Sequence, residues 1–166
     1  LKDKEPGVRA VLATAIEQRS NAGRDSIGGR PADLKRLLKG LDRVAVRDRD
    51  PRTRAAGLLA LHAFARAYGI GEQEADDAVA DALRGDDPLV ISAALGATAG
   101  RLSVAELEVF LWSKGGSHGP LMGAVAALEA KGDRESARLL IRRLGDEEAP
   151  LRPAAAWGVV CSLRRM

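Results

Sequence analysis

Two histidines and one cysteine are the residues of this 166-residue sequence best suited to acid–base, nucleophilic or metal chemistry. His62 lies among Leu and Ala residues, where it is either a packed, hydrogen-bonded imidazole or a catalytic one. His118 lies in a Gly-rich turn, where it is either a polar loop residue or an exposed functional group. Cys161 follows Trp and Val residues, which favours a buried, inert thiol. Because these residues share no metal-ligand spacing, the sequence predicts no catalytic residue, no metal site and no cofactor.

Paired carboxylates and paired glycines are the other features that carry chemistry in some proteins. The carboxylates at 76–77 are expected on a solvated helix face, and the pair at 86–87 includes a helix cap. The glycines at 28–29 and 115–116 lack the pattern of a phosphate-binding loop and of a dinucleotide site. We therefore expect turns and helix ends here, and the sequence favours a protein that is not an enzyme.

Composition favours helices as the elements that position any site. Ala supplies 30 residues and Leu 22, whereas Val and Ile together supply 16 and the aromatic types 5. Ala and Leu are strong helix formers, and strands prefer β-branched and aromatic side chains. The sequence therefore predicts an all-α fold with closely packed helices.

Cysteine usage and hydropathy predict the setting of the protein. A single cysteine permits no intrachain disulfide, and no apolar run approaches the roughly 18 residues of a membrane-spanning helix. We expect a cytoplasmic protein with no membrane segment. Leu1 in place of an initiator Met predicts a fragment of a longer protein, and 20 Arg against 6 Lys favours a GC-rich bacterial genome.

Glycine recurs with a period that indicates stacked helical hairpins. Six glycines stand where a left-handed residue would end a helix, namely Gly69, Gly85, Gly100, Gly115, Gly132 and Gly145. Their spacings are 16, 15, 15, 17 and 13 residues, so every second stop recurs after 30 to 32 residues. Such a period is typical of repeats built from helix pairs.

Two types of helix start alternate along the chain. Asp50 and Asp87 each precede a proline, as a cap before the first helical residue does, whereas Ser103 with Glu106 forms a capping box and Asp133 follows a glycine stop. We predict A helices over 6–20, 51–68, 88–99, 120–131 and 150–164, and B helices over 32–47, 72–84, 103–114 and 133–144.

The A helices resemble the first helix of HEAT repeats. The segments that carry the resemblance are Asp50-Pro-Arg-Thr-Arg54-Ala-Ala-Gly-Leu-Leu-Ala-Leu61, Asp87-Pro-Leu-Val-Ile-Ser-Ala-Ala-Leu-Gly96, Pro6-Gly-Val-Arg9-Ala-Val-Leu-Ala13 and Pro150-Leu-Arg152-Pro-Ala-Ala-Ala156. They are similar to short bacterial HEAT repeats, which also occur in phycobilisome-lyase-like proteins. The resemblance covers most of the chain. It implies one domain over 1–166, an α-solenoid of about four to five antiparallel helix pairs, with a Gly-rich loop insertion at 20–31.

In that family an aspartate near the turn commonly pairs with an arginine of the A helix in a neighbouring repeat. The positions that match are Asp48 or Asp50 with Arg54 and, for the arginine alone, Arg9 and Arg152. Ile91 and Gly123 replace the arginine in the middle repeats. The resemblance therefore implies a ladder of pairs that is broken in the middle.

Charge alternates along the chain. Residues 1–23, 24–54, 55–137 and 138–166 carry net charges of +1, +5, −6 and +3. The B helices of a HEAT stack usually line its concave surface, which would then run basic, acidic, acidic and basic. The basic residues that we predict to bind a partner are Lys35, Arg36, Lys39, Arg43, Arg47, Arg138 and Arg142. Solvated helix faces without a partner are the alternative.

Apolar residues outside the predicted helix stripes add to the candidate binding residues. Phe110 and Trp112 flank the stripe of the third B helix, and Leu139 lies off the stripe of the fourth. They either anchor a partner or pack on neighbouring repeats. The last A helix bears Trp157 and has no following B helix, which favours a homo-oligomer through the C-terminal end.

The leading functional hypothesis is a non-catalytic scaffold that binds a protein or peptide along its B-helix surface. Nucleic-acid binding is the alternative, including a DNA glycosylase-like activity, because some glycosylases are built on HEAT-like repeats. The excess of arginine favours this alternative. The acidic middle of the chain and the few aromatic platforms disfavour it.

Overall fold

The computed structural model describes residues 1–23, 30–98, 101–112, 118–144, 156–157 and 159–160. Within these ranges the chain forms eight α-helices and no strand, which confirms the all-α prediction. The helices are α1 (Pro6–Asn21), α2 (Pro31–Arg47), α3 (Pro51–Tyr68), α4 (Glu72–Arg84), α5 (Pro88–Ala97), α6 (Val104–Trp112), α7 (His118–Lys131) and α8 (Arg134–Leu144).

The chain divides into two compact units, Leu1–Ala97 with α1 to α5 and Thr98–Met166 with α6 to α8. The prediction of a single repeat domain over 1–166 stays a prediction. Each of the eight helices begins and ends within two residues of its predicted position. Most of the predicted helix over 150–164 lies outside the described residues, but the described residues 156–157 and 159–160 are helical. The centre of the predicted loop over 20–31, residues 24–29, also lies outside them.

Side-chain caps start the helices where the sequence predicts them. Asp50 accepts a hydrogen bond from the Thr53 amide at 2.8 Å, and Asp87 accepts one from the Leu89 amide at 3.0 Å. The capping box is reciprocal, since the Ser103 amide donates to the Glu106 carboxylate at 2.7 Å and the Glu106 amide donates to Ser103 Oγ at 3.2 Å. These bonds satisfy amides that have no partner inside the helix.

The predicted glycine stops agree with the structure only in part. Gly69 and Gly132 adopt the left-handed conformation, with φ of 65° and 62°. Gly85 does end α4, but the prediction of a left-handed residue there is wrong, because its backbone is extended with φ −72° and ψ −179°. The predicted stops Gly100, Gly115 and Gly145 lie outside the described residues.

The first unit has α3 at its centre. α3 packs against α1 and α5, and it also contacts α2 and α4, which contact each other. Small residues let four helices approach it, and its larger buried side chains are Leu58, Leu61, Phe64 and Tyr68. The apolar side of α2 faces this core, with Leu41, Val44 and Ala45 buried. The five basic residues of α2 that we predict to bind a partner are all exposed.

α2 packs closely against α3 at Gly57. A Cβ atom at Gly57 would lie 2.7 Å from Val44 Cγ1 and 2.9 Å from the backbone nitrogen of Ala45. Real Cβ atoms do not approach other atoms this closely, so only glycine permits the observed spacing. The position of α2 therefore depends on this one missing side chain.

In the second unit, the described residues 101–112 and 118–144 form a cluster of α6, α7 and α8. α7 contacts both α6 and α8, and α6 also contacts α8. Leu107, Leu111, Leu128 and Leu140 are its fully buried leucines. No helix of the described ranges is long and apolar enough to cross a membrane.

We predict that Gly57→Ala lowers the free energy of unfolding by about 1 to 3 kcal/mol, because the added methyl group must push α2 away from α3. Urea unfolding followed by circular dichroism measures the change. The control is Gly96→Ala on α5, where a Cβ atom would meet no other atom within 4 Å. It should be neutral or stabilise the chain by up to about 1 kcal/mol. Equal destabilisation by both variants would contradict the proposed packing constraint.

Candidate binding cavity

An open cavity of about 1160 Å³ lies beside α2 in the first unit. Its walls come from α2, from the segment that precedes α1, from Arg9 on α1 and from the turn between α2 and α3. Six exposed cations line it, namely Lys2, Arg36, Lys39, Arg43, Arg47 and Arg49. The cavity therefore brings together four of the seven basic residues that the sequence predicts as binding residues.

The helical period explains how α2 supplies this wall. Residues 36, 40, 43 and 47 are spaced by three or four positions, so they lie on one side of the helix. Gly40 occupies the middle of that side and leaves room for the N-terminal segment. A Cβ atom at Gly40 would lie 3.2 Å from Leu1 Cδ1, so Leu1 packs almost directly on the α2 backbone.

The side chains of the six cations have no counterion among the residues that the structure describes. None of these side chains forms a hydrogen bond or ion pair with another described residue. Asp3 and Asp42 also line the cavity, and Leu1, Gly40 and Val44 give it an apolar patch. The cavity thus combines an excess of positive charge with a largely apolar wall surface.

Arg9 fixes the shape of the cavity at its closed end. Its Nε donates to Asp48 Oδ2 at 2.6 Å and its Nη2 donates to Asp48 Oδ1 at 2.8 Å. Its Nη1 donates to the carbonyl oxygens of Asp3 and Lys4 at 2.8 and 2.9 Å. One guanidinium therefore joins α1, the turn before α3 and the N-terminal segment.

The Arg9 pair also changes the titration of its partner. The Asp48 side chain is only 7% exposed. Hydrogen bonding from Arg9 holds the pKa of Asp48 below its ordinary value of 3.8, against the opposing effect of burial. Asp48 therefore remains a carboxylate, and Arg9 is not one of the cavity's unpaired cations.

The structure corrects the expected pairing of Arg54. Arg54 reaches Asp48 only through its backbone carbonyl oxygen, at 3.0 Å, because the Asp48 carboxylate binds Arg9. The carboxylate partner of Arg54 is Asp87, the cap of α5, at 3.4 Å. The first unit therefore has two successive Asp–Arg pairs, and Ile91 on α5 is buried.

The other predicted binding residues lie elsewhere. Lys35 is exposed on α2 but does not line the cavity. Arg138 and Arg142 are exposed on α8 in the second unit, and Phe110 on α6 is half-buried. Trp112 is the last residue of α6, and its side chain lies outside the described part.

Exposure decides between the two roles that the sequence leaves open for Leu139. Leu139 is buried, whereas Ile141 on the same helix is 52% exposed. Leu139 is therefore a packing residue, which is the second of the two alternatives. Trp157 is 58% exposed. The homo-oligomer through this end stays a prediction.

The candidate chemical residues form no site in the described chain. His62 is half-buried, and Cys161 lies outside the described residues. Within the described ranges no three His, Cys, Asp or Glu side chains are grouped so that they could hold a metal ion.

Sequence reasoning missed part of the cavity wall. It did not assign Lys2, Arg49 or Leu1 to the site, because the segment before α1 has no periodicity that predicts where it packs. Arg9 carried a usable signal, since it and Arg54 are both the fourth residue of an A helix that starts with proline. The sequence matches no protein-family model and no curated protein, so the cavity is interpreted from its own chemistry.

We predict that Asp48→Asn makes the chain less sensitive to acid. A carboxylate with a lowered pKa stabilises the fold above its unfolded-state pKa, and this contribution disappears as the pH falls through the folded-state value. Wild type should therefore lose more stability than Asp48→Asn between neutral pH and the region below 3.8. Thermal unfolding across this range measures the effect. Asp42→Asn, a cavity carboxylate with no bond to Arg9, should behave like wild type.

We also predict that Arg54→Ala destabilises the fold and that Arg43→Ala does not. Arg54 donates to Asp48 and Asp87, so its removal should lower the free energy of unfolding by about 1.5 to 3 kcal/mol. Arg43 is exposed and unpaired, so its removal should barely change the melting temperature. Equal effects in thermal unfolding would mean that Arg54 has been given the wrong role.

Proposed function

We propose that this chain is a non-catalytic protein-binding scaffold, built from HEAT-like helix pairs, that holds a protein or peptide segment in the basic cavity beside α2. The observation that carries the proposal is the group of six exposed cations, whose side chains have no partner within the described ranges, around one apolar patch. Like charges at this density repel one another, and an anionic partner relieves that repulsion. Cytoplasmic residence belongs to the same proposal.

The architecture of the first unit supports a repeat scaffold. α1, α3 and α5 pack in sequence, α2 and α4 pack beside them, and Asp–Arg pairs link successive helix pairs. This is the arrangement that the HEAT resemblance implies. A frame of this kind holds the α2 side chains without requiring any chemistry from them.

Nucleic-acid binding is the second candidate, because a positive cavity attracts phosphate as well as carboxylate. Two observations disfavour it. No aromatic side chain lines the cavity to stack on a base. The neighbouring helix α4 exposes Glu72, Glu74, Asp76, Asp77 and Asp81, which would repel a uniformly negative backbone.

The proposal is tested by comparing the proteins that immobilised wild type and variant chains retain from a lysate of the source organism. The combined variant Arg36→Glu, Lys39→Glu and Arg43→Glu should lose the specific partner, because the cavity then becomes acidic. The single variants Arg43→Glu and Lys35→Glu form a matched pair, since each reverses one charge on α2 and only Arg43 lines the cavity. Arg43→Glu should weaken partner binding and Lys35→Glu should not.

Two results would contradict this proposal. The first is a partner that remains bound to the combined variant. The second is binding of a duplex DNA by the unmodified chain at physiological salt with a dissociation constant below about 1 μM, which would exceed typical non-specific affinity.

A further inference from the structure

α2 separates the basic cavity from a second, smaller cavity of about 130 Å³. Arg43, Val44 and Arg47 line the basic cavity, whereas Ala45 and Val46 line the small one. These residues share the last turns of α2, so the two cavities lie beside the same stretch of helix, where Arg43 and Val46 are surface neighbours three positions apart. A bound partner segment that leaves the basic cavity and crosses the last turns of α2 therefore reaches the small cavity.

The small cavity has the opposite charge. Asp81 and Asp86 of the α4–α5 region line it, with Asp87 and Arg54. Arg54 is paired with Asp87, and Asp81 is paired with Arg84. Asp86 is exposed and forms no ion pair with any other residue in the described ranges. Asp86 is therefore the carboxylate that is available to an incoming cation.

An apolar residue lies between the two cavities. Val46 is 41% exposed and lines the small cavity at the point where α2 separates it from the basic one. The surface across α2 therefore runs from basic to apolar to acidic. This order is a charge pattern that a single partner segment can match.

Resting on the proposed function, we propose that the partner is a protein segment with acidic residues, then an apolar residue, then basic residues, which crosses α2 between the two cavities. Its carboxylates contact Arg43 and Arg47, its apolar side chain covers Val46, and its basic end contacts Asp86.

The size of α2 sets the spacing of this motif. A helix with its side chains is about 10 to 12 Å wide, and an extended chain advances about 3.3 to 3.6 Å per residue. The acidic and basic groups of the partner are therefore about three to four residues apart. A uniformly acidic segment matches only the first cavity, and so does a phosphate backbone, because each meets Asp86 on the far side of α2.

Three synthetic peptides labelled with a fluorophore test the charge order by fluorescence anisotropy. The bipolar peptide contains Glu-Glu-Ser-Leu-Ser-Lys-Lys, the mixed peptide contains Glu-Lys-Ser-Leu-Ser-Glu-Lys, and the acidic peptide contains Glu-Glu-Ser-Leu-Ser-Glu-Glu. The first two have the same composition and net charge, so they differ only in order. We expect the bipolar peptide to bind the full chain about fivefold or more tightly than either of the others.

A charge reversal on each side of α2 assigns the two contacts. Arg43→Glu should weaken binding of both the bipolar and the acidic peptide. Asp86→Lys should weaken binding of the bipolar peptide and strengthen binding of the acidic one. Glu74→Lys is the matched control for Asp86→Lys, because Glu74 is exposed on α4 and lines neither cavity. Circular dichroism checks that each variant is folded.

The outcomes separate this inference from the proposed function. Equal binding of the bipolar and mixed peptides, or no effect of Asp86→Lys, overturns the bipolar partner while the basic cavity remains a protein-binding site. No binding of any of the three peptides also overturns the inference. Retention of the lysate partner by the combined α2 variant overturns the proposed function itself. Tighter binding of a 20-base-pair duplex than of the bipolar peptide overturns both.

Discussion

The spacing between α2 and α3 depends on Gly57, where the absence of a side chain lets Val44 and the backbone at Ala45 rest against the α3 backbone. This contact fixes both the distance and the rotation of α2, since Val44 and Ala45 must face inward. Arg43 and Arg47 are then directed outward, and the chain leaves the helix at Asp48 within reach of Arg9. A packing constraint in the core thus determines which charged side chains reach the surface, and where.

The Arg9–Asp48 ion pair holds the walls of the cavity in place around the packed helices. The two parallel hydrogen bonds hold α1 against the turn before α3, and the remaining Arg9 nitrogen holds the N-terminal segment over α2. Because the Arg9 guanidinium is hydrogen-bonded within the protein, it helps to form the cavity wall but adds little charge that a partner could bind. The side chains of the neighbouring cations are exposed and have no partner among the described residues, so in the proposed function they supply the attraction. Paired and unpaired cations therefore have different roles within one site.

The proposed function, recognition of a partner by charge, favours a rigid scaffold. Exposed ion pairs contribute little affinity each, because water and salt screen them and ordering long side chains costs entropy. Several weak contacts become selective when a fixed backbone presents them in a set order, as α2 does between a basic and an acidic cavity. Specificity on such a surface comes from the order of charges, since a partner with the wrong order gains one contact and loses another.

The sequence alone determined the helices, because their signals are local. Proline after Asp50 and Asp87, the capping box at Ser103 and Glu106, and the period of α2 each depend on residues within a few positions of one another. The same locality explains why Lys35, Arg36, Lys39, Arg43 and Arg47 were correctly expected on the exposed side of α2. Tertiary structure decided the partners. Asp48 binds Arg9, which is 39 residues away, and Leu1 packs on Gly40, and neither contact has a local pattern. Lys35 and Arg43 are both basic residues predicted on the exposed side of α2. Only the packing of the N-terminal segment against one side of α2 makes Arg43 a cavity residue and leaves Lys35 in solvent.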